Sequence, residues 1–120
     1  MRRPGLALIV CAALLSPLGC GHSSPTEPGT TPSWLQALIA QIQKEPVTSP
    51  LSTIYSYRYR GDTVFYRTSR CCDIRSVLYD KNGAVLCEPD GGIASIGDAR
   101  CPDFARTRSE EQLIWRDPRS

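Results

Sequence analysis

The chain has 120 residues, with 14 Lys+Arg, 12 Asp+Glu and one histidine, enough for one small domain. The basic surplus comes from Arg2 and Arg3; beyond them 12 basic residues face 12 acidic ones, so the balance offers no electrostatic footprint for nucleic acid. The lone histidine, His22, falls in a segment too polar to fold, which argues against Ser-His-Asp and Cys-His catalysis and histidine-held metals.

Residues 1–19 read as an export signal. Arg2 and Arg3 precede the apolar run "GLALIVCAALLSPL", which is shorter than the ~20 residues that cross a bilayer. The signal ends in "SPLGC", which resembles the lipobox of bacterial lipoproteins and marks Cys20 as the acylated N-terminus of the mature chain. Gly21 after it does not resemble an inner-membrane retention signal, so an outer-membrane anchor is expected; a simply secreted or periplasmic protein is the alternative. Residues 20–32 then form the lipidated cysteine and a flexible tether. "GHSSPTEPGTTP" has no large apolar residue with which to offset the entropy of ordering, and such a segment spans roughly 20 Å as a coil.

The domain is expected over 33–117, followed by a tail, 118–120. In "SWLQALIAQIQKEP" the residues Trp34, Leu35, Leu38, Ile39 and Ile42 recur at helical spacing, which predicts an amphipathic helix over about 33–44. Ser33 with Gln36 fits a capping box, or Thr31 caps with Pro32 at the first helical position. Pro46 stops the helix. Its polar face is mostly glutamine rather than Lys/Arg, which favours core packing over a membrane surface.

"STIYSYRYRGDTVFYRTS" switches to strand period. A turn at Gly61-Asp62 would pair Tyr59 with Val64, Tyr57 with Tyr66 and Tyr55 with Thr68, all on one face. The helix is expected to pack on that tyrosine face. "RGD" within this hairpin is a known integrin signal, but Gly-Asp has a turn to make and the triplet is too short to carry a function. "SVLYDKNGAVLC" predicts strands near 76–80 and 84–88, with Asp80 and Gly83 at the first and fourth positions of the turn and Cys87 opposite Val77. "PDGGIASIGDARCPDF" reads as an ordered loop and "EQLIWRD" as a short last strand. The order gives an α+β domain: one N-terminal amphipathic helix packed on a small antiparallel sheet of two hairpins and a C-terminal strand, stapled by disulfides.

Cys71, Cys72, Cys87 and Cys101 are the disulfide candidates in an exported chain. A bond between the adjacent Cys71 and Cys72 is strained across one peptide, so both are expected to reach out to Cys87 and Cys101. The spacing does not fit a zinc knuckle.

"CCD", "LYDKNG", "CEPDGG" and "GDARCPDF", within a run over about 32–117, resemble a family of small exported bacterial domains, domain of unknown function 6970. Ala99 stands where that resemblance leads one to expect glycine. The resemblance implies boundaries and compartment, and no activity.

The most site-like stretch is the loop of Asp90, Gly91, Gly92, Ile93, Ile96, Asp98 and Asp103. Calcium takes carboxylate and carbonyl oxygens, but the EF-hand spacing is absent and the Gly-Asp pairs suit turns. No metal and no cofactor is expected. The functional expectation is a lipid-anchored, non-catalytic binding module, a monomer held to the membrane by its lipid and engaging an envelope protein or ligand. A peptidase-inhibitor-like loop and a small carboxylate enzyme using residues such as Glu88 and Asp90 are the alternatives.

Overall fold

The computed structural model describes residues 30–71 and 73–120. The signal, Cys20, residues 21–29 of the tether and Cys72 lie outside the described residues. Five antiparallel strands make one sheet in the order β4-β3-β2-β1-β5: β1 Thr53–Tyr59, β2 Asp62–Arg67, β3 Val77–Tyr79, β4 Val85–Cys87 and β5 Ser109–Arg116. Helix α1 spans Ser33–Ile42 and a one-turn helix α2 spans Phe104–Thr107.

Helix α1 forms where the apolar period runs, with Leu35 and Ile42 buried and Trp34, Leu38 and Ile39 partly so. Neither expected cap forms. The Pro32 carbonyl accepts the Leu35 and Gln36 amides, and the Gln36 side chain reaches back to the Thr31 carbonyl at 2.8 Å. The helix ends two residues earlier than expected because Lys44 and Glu45 tighten onto Gln41 and Ile42. Arg119 then donates to the carbonyls of Ile42, Gln43 and Glu45, satisfying acceptors that a helix end leaves open. The terminal segment is therefore built into the fold through Arg119 and through Asp117, which is 2% exposed and bonded to that guanidinium at 2.7 Å.

The first hairpin turns one residue earlier than the sequence implied. Arg60 and Gly61 are the two turn residues, at φ 50 and 84, as a twist-matched two-residue hairpin requires. Asp62 opens β2 and pairs with Tyr59; Tyr57 pairs with Val64 and Tyr55 with Tyr66. This two-residue shift in partner leaves every side chain on its expected face, because strands alternate with period two. In the second hairpin the Gly83 amide donates to the Asp80 carbonyl at 3.1 Å, as the turn residues predicted. An irregularity beside Leu78 places Cys87 opposite Leu78 rather than Val77.

The helix packs on the other face. Leu35 and Ile42 of α1 form a cluster with Ile54 and Phe65, and Trp34 meets Phe65 edge-on at 5.4 Å. The tyrosine face is covered instead by the chain around α2, in a second core of Tyr57, Tyr59, Val64, Leu78, Cys87, Cys101 and Phe104. Hydrogen bonding explains the choice. Tyrosine hydroxyls taken from water need acceptors, and Tyr57, Tyr59 and Tyr66 find them in Glu111, Asp103 and Asp90. The apolar stripe of α1 offers none, whereas Ile54 and Phe65 ask for none.

Cys87 bonds to Cys101, with Cα atoms 6.1 Å apart. This overturns the expectation that Cys71 and Cys72 tie to those two. Cys87 points from β4 into the second core and Cys101 enters the same core, while Cys71 is exposed on the β2–β3 connection. Cys71 is itself disulfide-bonded, with a partner other than Cys87 or Cys101.

Candidate binding loop and neighbouring cleft

The disulfide closes a loop from Cys87 to Cys101, and its brackets are hydrogen-bonded at both ends. Asp90 accepts the Tyr66 hydroxyl at 2.7 Å, its amide and carbonyl meet the Ser76 hydroxyl at 3.2 Å each, and its carbonyl also takes the Ser76 amide. At the far end the Asp98 carboxylate accepts the Glu88 and Arg100 amides, both at 3.0 Å, and the Asp98 amide returns to the Glu88 carbonyl at 2.8 Å. The two ends of the loop are thus laced to each other.

Gly91 and Gly97 allow the close approach this needs. At Gly97, with φ +66, a Cβ would stand 2.0 Å from the Glu88 carbonyl oxygen, so only glycine fits. Between these braces Ile93 is 92% exposed and Ile96 67% exposed. Gly92 lies against the Arg75 side chain, and Arg75 pairs with Glu88 at 3.3 Å.

The carboxylates of the predicted site do not converge. Asp90 serves Tyr66 and Asp98 serves two amides. Asp103 sits just before α2, where it accepts Tyr59 at 2.7 Å and Arg60 at 2.9 Å. Among the described residues no three His, Cys, Asp or Glu are placed to hold a metal ion. The Tyr59 hydroxyl, with Arg60 behind it, holds the Asp103 carboxyl below the usual range despite partial burial. Burial raises the Asp98 carboxyl, but the Arg100 and Glu88 amides outweigh it and leave it low. Burial and then the bond to Glu111 push Tyr57 up to about 12; burial and Asp90 likewise raise Tyr66. These groups are fixed in one protonation state near neutrality and serve as struts.

Arg108, at the end of α2, stacks over Tyr57, Tyr66 and Phe104 at 4.5, 5.7 and 5.1 Å. Neither this stack nor α2 was predicted, since one helical turn leaves no periodicity to read. A cleft of about 400 Å³ also opens where the two hairpin tips meet Cys101. It too is invisible in sequence, because its walls come from three separated segments.

The fold and loop define a class: a small α+β domain with a five-stranded antiparallel sheet, a helix on one face and a disulfide-closed loop on the other. The chain belongs to the family described as a domain of unknown function (DUF6970), whose model matches residues 40–117. No curated protein and no solved structure matches it.

Proposed function

We propose that the chain is a lipid-anchored protein of the bacterial cell envelope, held at the outer membrane through Cys20, whose domain binds a partner through the loop between Cys87 and Cys101 without catalysis. The anchor rests on the signal, the "SPLGC" junction and the tether. The binding role rests on one observation: Ile93 and Ile96 stand exposed on a loop braced at both ends. A preformed loop forfeits little entropy on association, and apolar anchors set in a polar surround suit an interface core. An inhibitor-like docking into a peptidase cleft is one form this takes. The carboxylate-enzyme alternative finds less support, since Asp90, Asp98 and Asp103 are each engaged by separate structural donors.

Two measurements test the reading. Metabolic labelling with an alkyne fatty acid should mark the full chain and fail on Cys20→Ser, which should also leave the membrane fraction; equal labelling of both removes the anchor. A photo-crosslinker at Ile96 in living cells should give a discrete adduct that Ile93→Asp abolishes. An adduct pattern unchanged by Ile93→Asp removes the loop.

A further inference from the structure

The cleft at the hairpin tips is a second site, and neither Ile93 nor Ile96 lines it. At about 400 Å³ it falls in the ordinary size range of small-molecule sites, about 300–1,000 Å³. Val64, Leu86 and Tyr59 give it an apolar lining, and Arg60, Asp62, Asp80, Lys81, Asn82 and Arg100 supply its polar groups.

Three of those side chains are committed. Arg60 holds Asp103 at 2.9 Å. Arg100 holds the Leu86 carbonyl at 2.5 Å and lies 3.7 Å from Asp98. Asp80 accepts the amides of Asn82 and Ala84 at 2.8 and 3.0 Å. Two charges remain unspent: among the described residues neither the Lys81 ammonium nor the Asp62 carboxylate has a hydrogen-bond or ion-pair partner. They stand on different hairpins, Asp62 at the start of β2 and Lys81 in the β3–β4 turn.

One free cation, one free anion and an apolar lining together match a molecule carrying a carboxylate, an ammonium and a hydrocarbon side chain. We propose that this cleft binds a small zwitterion of the α-amino-acid class with an apolar side chain. The ligand carboxylate meets Lys81, with Arg60 and Arg100 adding positive field. The ligand ammonium meets Asp62, and the side chain lies on the partly exposed Leu86, with Val64 beneath it. Charge-assisted hydrogen bonds at both ends orient the ligand, and the apolar contact supplies the area term.

The test is a titration of the isotopically labelled full chain, followed by amide chemical shifts. L-leucine should give saturable shifts confined to residues 59–64, 80–86 and 100–101, with a dissociation constant on the order of 1 mM or tighter. Leucine methyl ester, N-acetyl-leucine and glycine each lack one of the three features and should bind about tenfold more weakly or worse. Lys81→Met and Asp62→Asn should weaken L-leucine by about tenfold at unchanged melting temperature, since neither side chain supports the fold. Absence of saturation by about 20 mM L-leucine, shifts outside the cleft, or full binding by either variant overturns the proposal.

Discussion

The Tyr66 hydroxyl donates to Asp90 Oδ2 at 2.7 Å, and that bond joins strand β2 to the first turn of the candidate loop. Tyr66 also lies 5.5 Å from Phe104 and beneath Arg108, so one ring serves both the second core and the loop. Tyr66→Phe keeps the ring and deletes the donor. A hydrogen bond to a charged group contributes ~1.5–3 kcal/mol, and the variant should lose stability in the lower part of that range because water reaches the freed carboxylate. Urea unfolding gives the size. Native-state hydrogen exchange gives the location: amides of Gly91–Gly97 should open first. Unchanged protection there would show that the loop is braced without this bond.

The tyrosine struts make stability depend on alkaline pH. Tyr57 is pushed up to about 12 by burial and its bond to Glu111, from an ordinary value near 10. The folded state therefore holds this proton more tightly than the unfolded chain. The resulting stabilisation is complete below pH 10 and is lost as pH rises from 10 through 12. Tyr59 and Tyr66 are raised for the same reasons and add in the same direction. In a spectrophotometric titration at 295 nm, part of the tyrosine absorbance should appear late, together with unfolding. Tyr57→Phe should flatten the fall in stability above pH 10. A single transition near pH 10 with native circular dichroism would contradict the burial of these hydroxyls.

The parts of the fold written in one segment were legible and the parts assembled from several were not. Helix α1, the two hairpins and the Asp80–Gly83 turn each follow from local period or turn chemistry, although α1 ends two residues early and Tyr57 pairs with Val64 instead of Tyr66. Face selection was missed because the tyrosine alternation shows which residues share a face and says nothing of what covers it. The deciding partners, Asp90, Asp103 and Glu111, lie 24 to 54 residues away. Cysteine pairing failed for a related reason: spacing limits loop length, whereas the direction of Cys87 toward the core depends on the β4 register. The candidate loop was found from its glycines and aspartates, yet their role proved to be bracing; the side-chain charges of Lys81 and Asp62, unpartnered among the described residues, had no signature at all.

Ala99 adopts φ 60, the left-handed region that disfavours a Cβ by roughly 1–2 kcal/mol. It is the position where the family resemblance led to glycine. Ala99→Gly relieves this strain and gives back part of the gain as extra freedom of the unfolded chain. The net expectation is a gain of about 0.5–1 kcal/mol, read as a higher urea midpoint at unchanged slope. A loss of stability would mean that the Ala99 methyl contributes contacts worth more than the strain.

The Cys87–Cys101 bond closes a loop with a sequence separation of 14, for which chain entropy gives ~3 kcal/mol. The double variant Cys87→Ala, Cys101→Ala should lose about that much, and the loss should be uneven. Both cysteines belong to the core shared with Phe104, Tyr57 and Tyr59, whereas α1 packs on the opposite face with Ile54 and Phe65. Sub-global exchange should therefore rise in Glu88–Arg100 and Phe104–Thr107 while the amides of α1 stay at the global limit. The expectation that Cys71 and Cys72 staple both hairpins to the loop predicts the opposite, a joint loosening of the β1–β2 hairpin with the loop. Selective opening around α2 supports the observed pairing; simultaneous opening of β1 and β2 with the loop at the same free energy would contradict it.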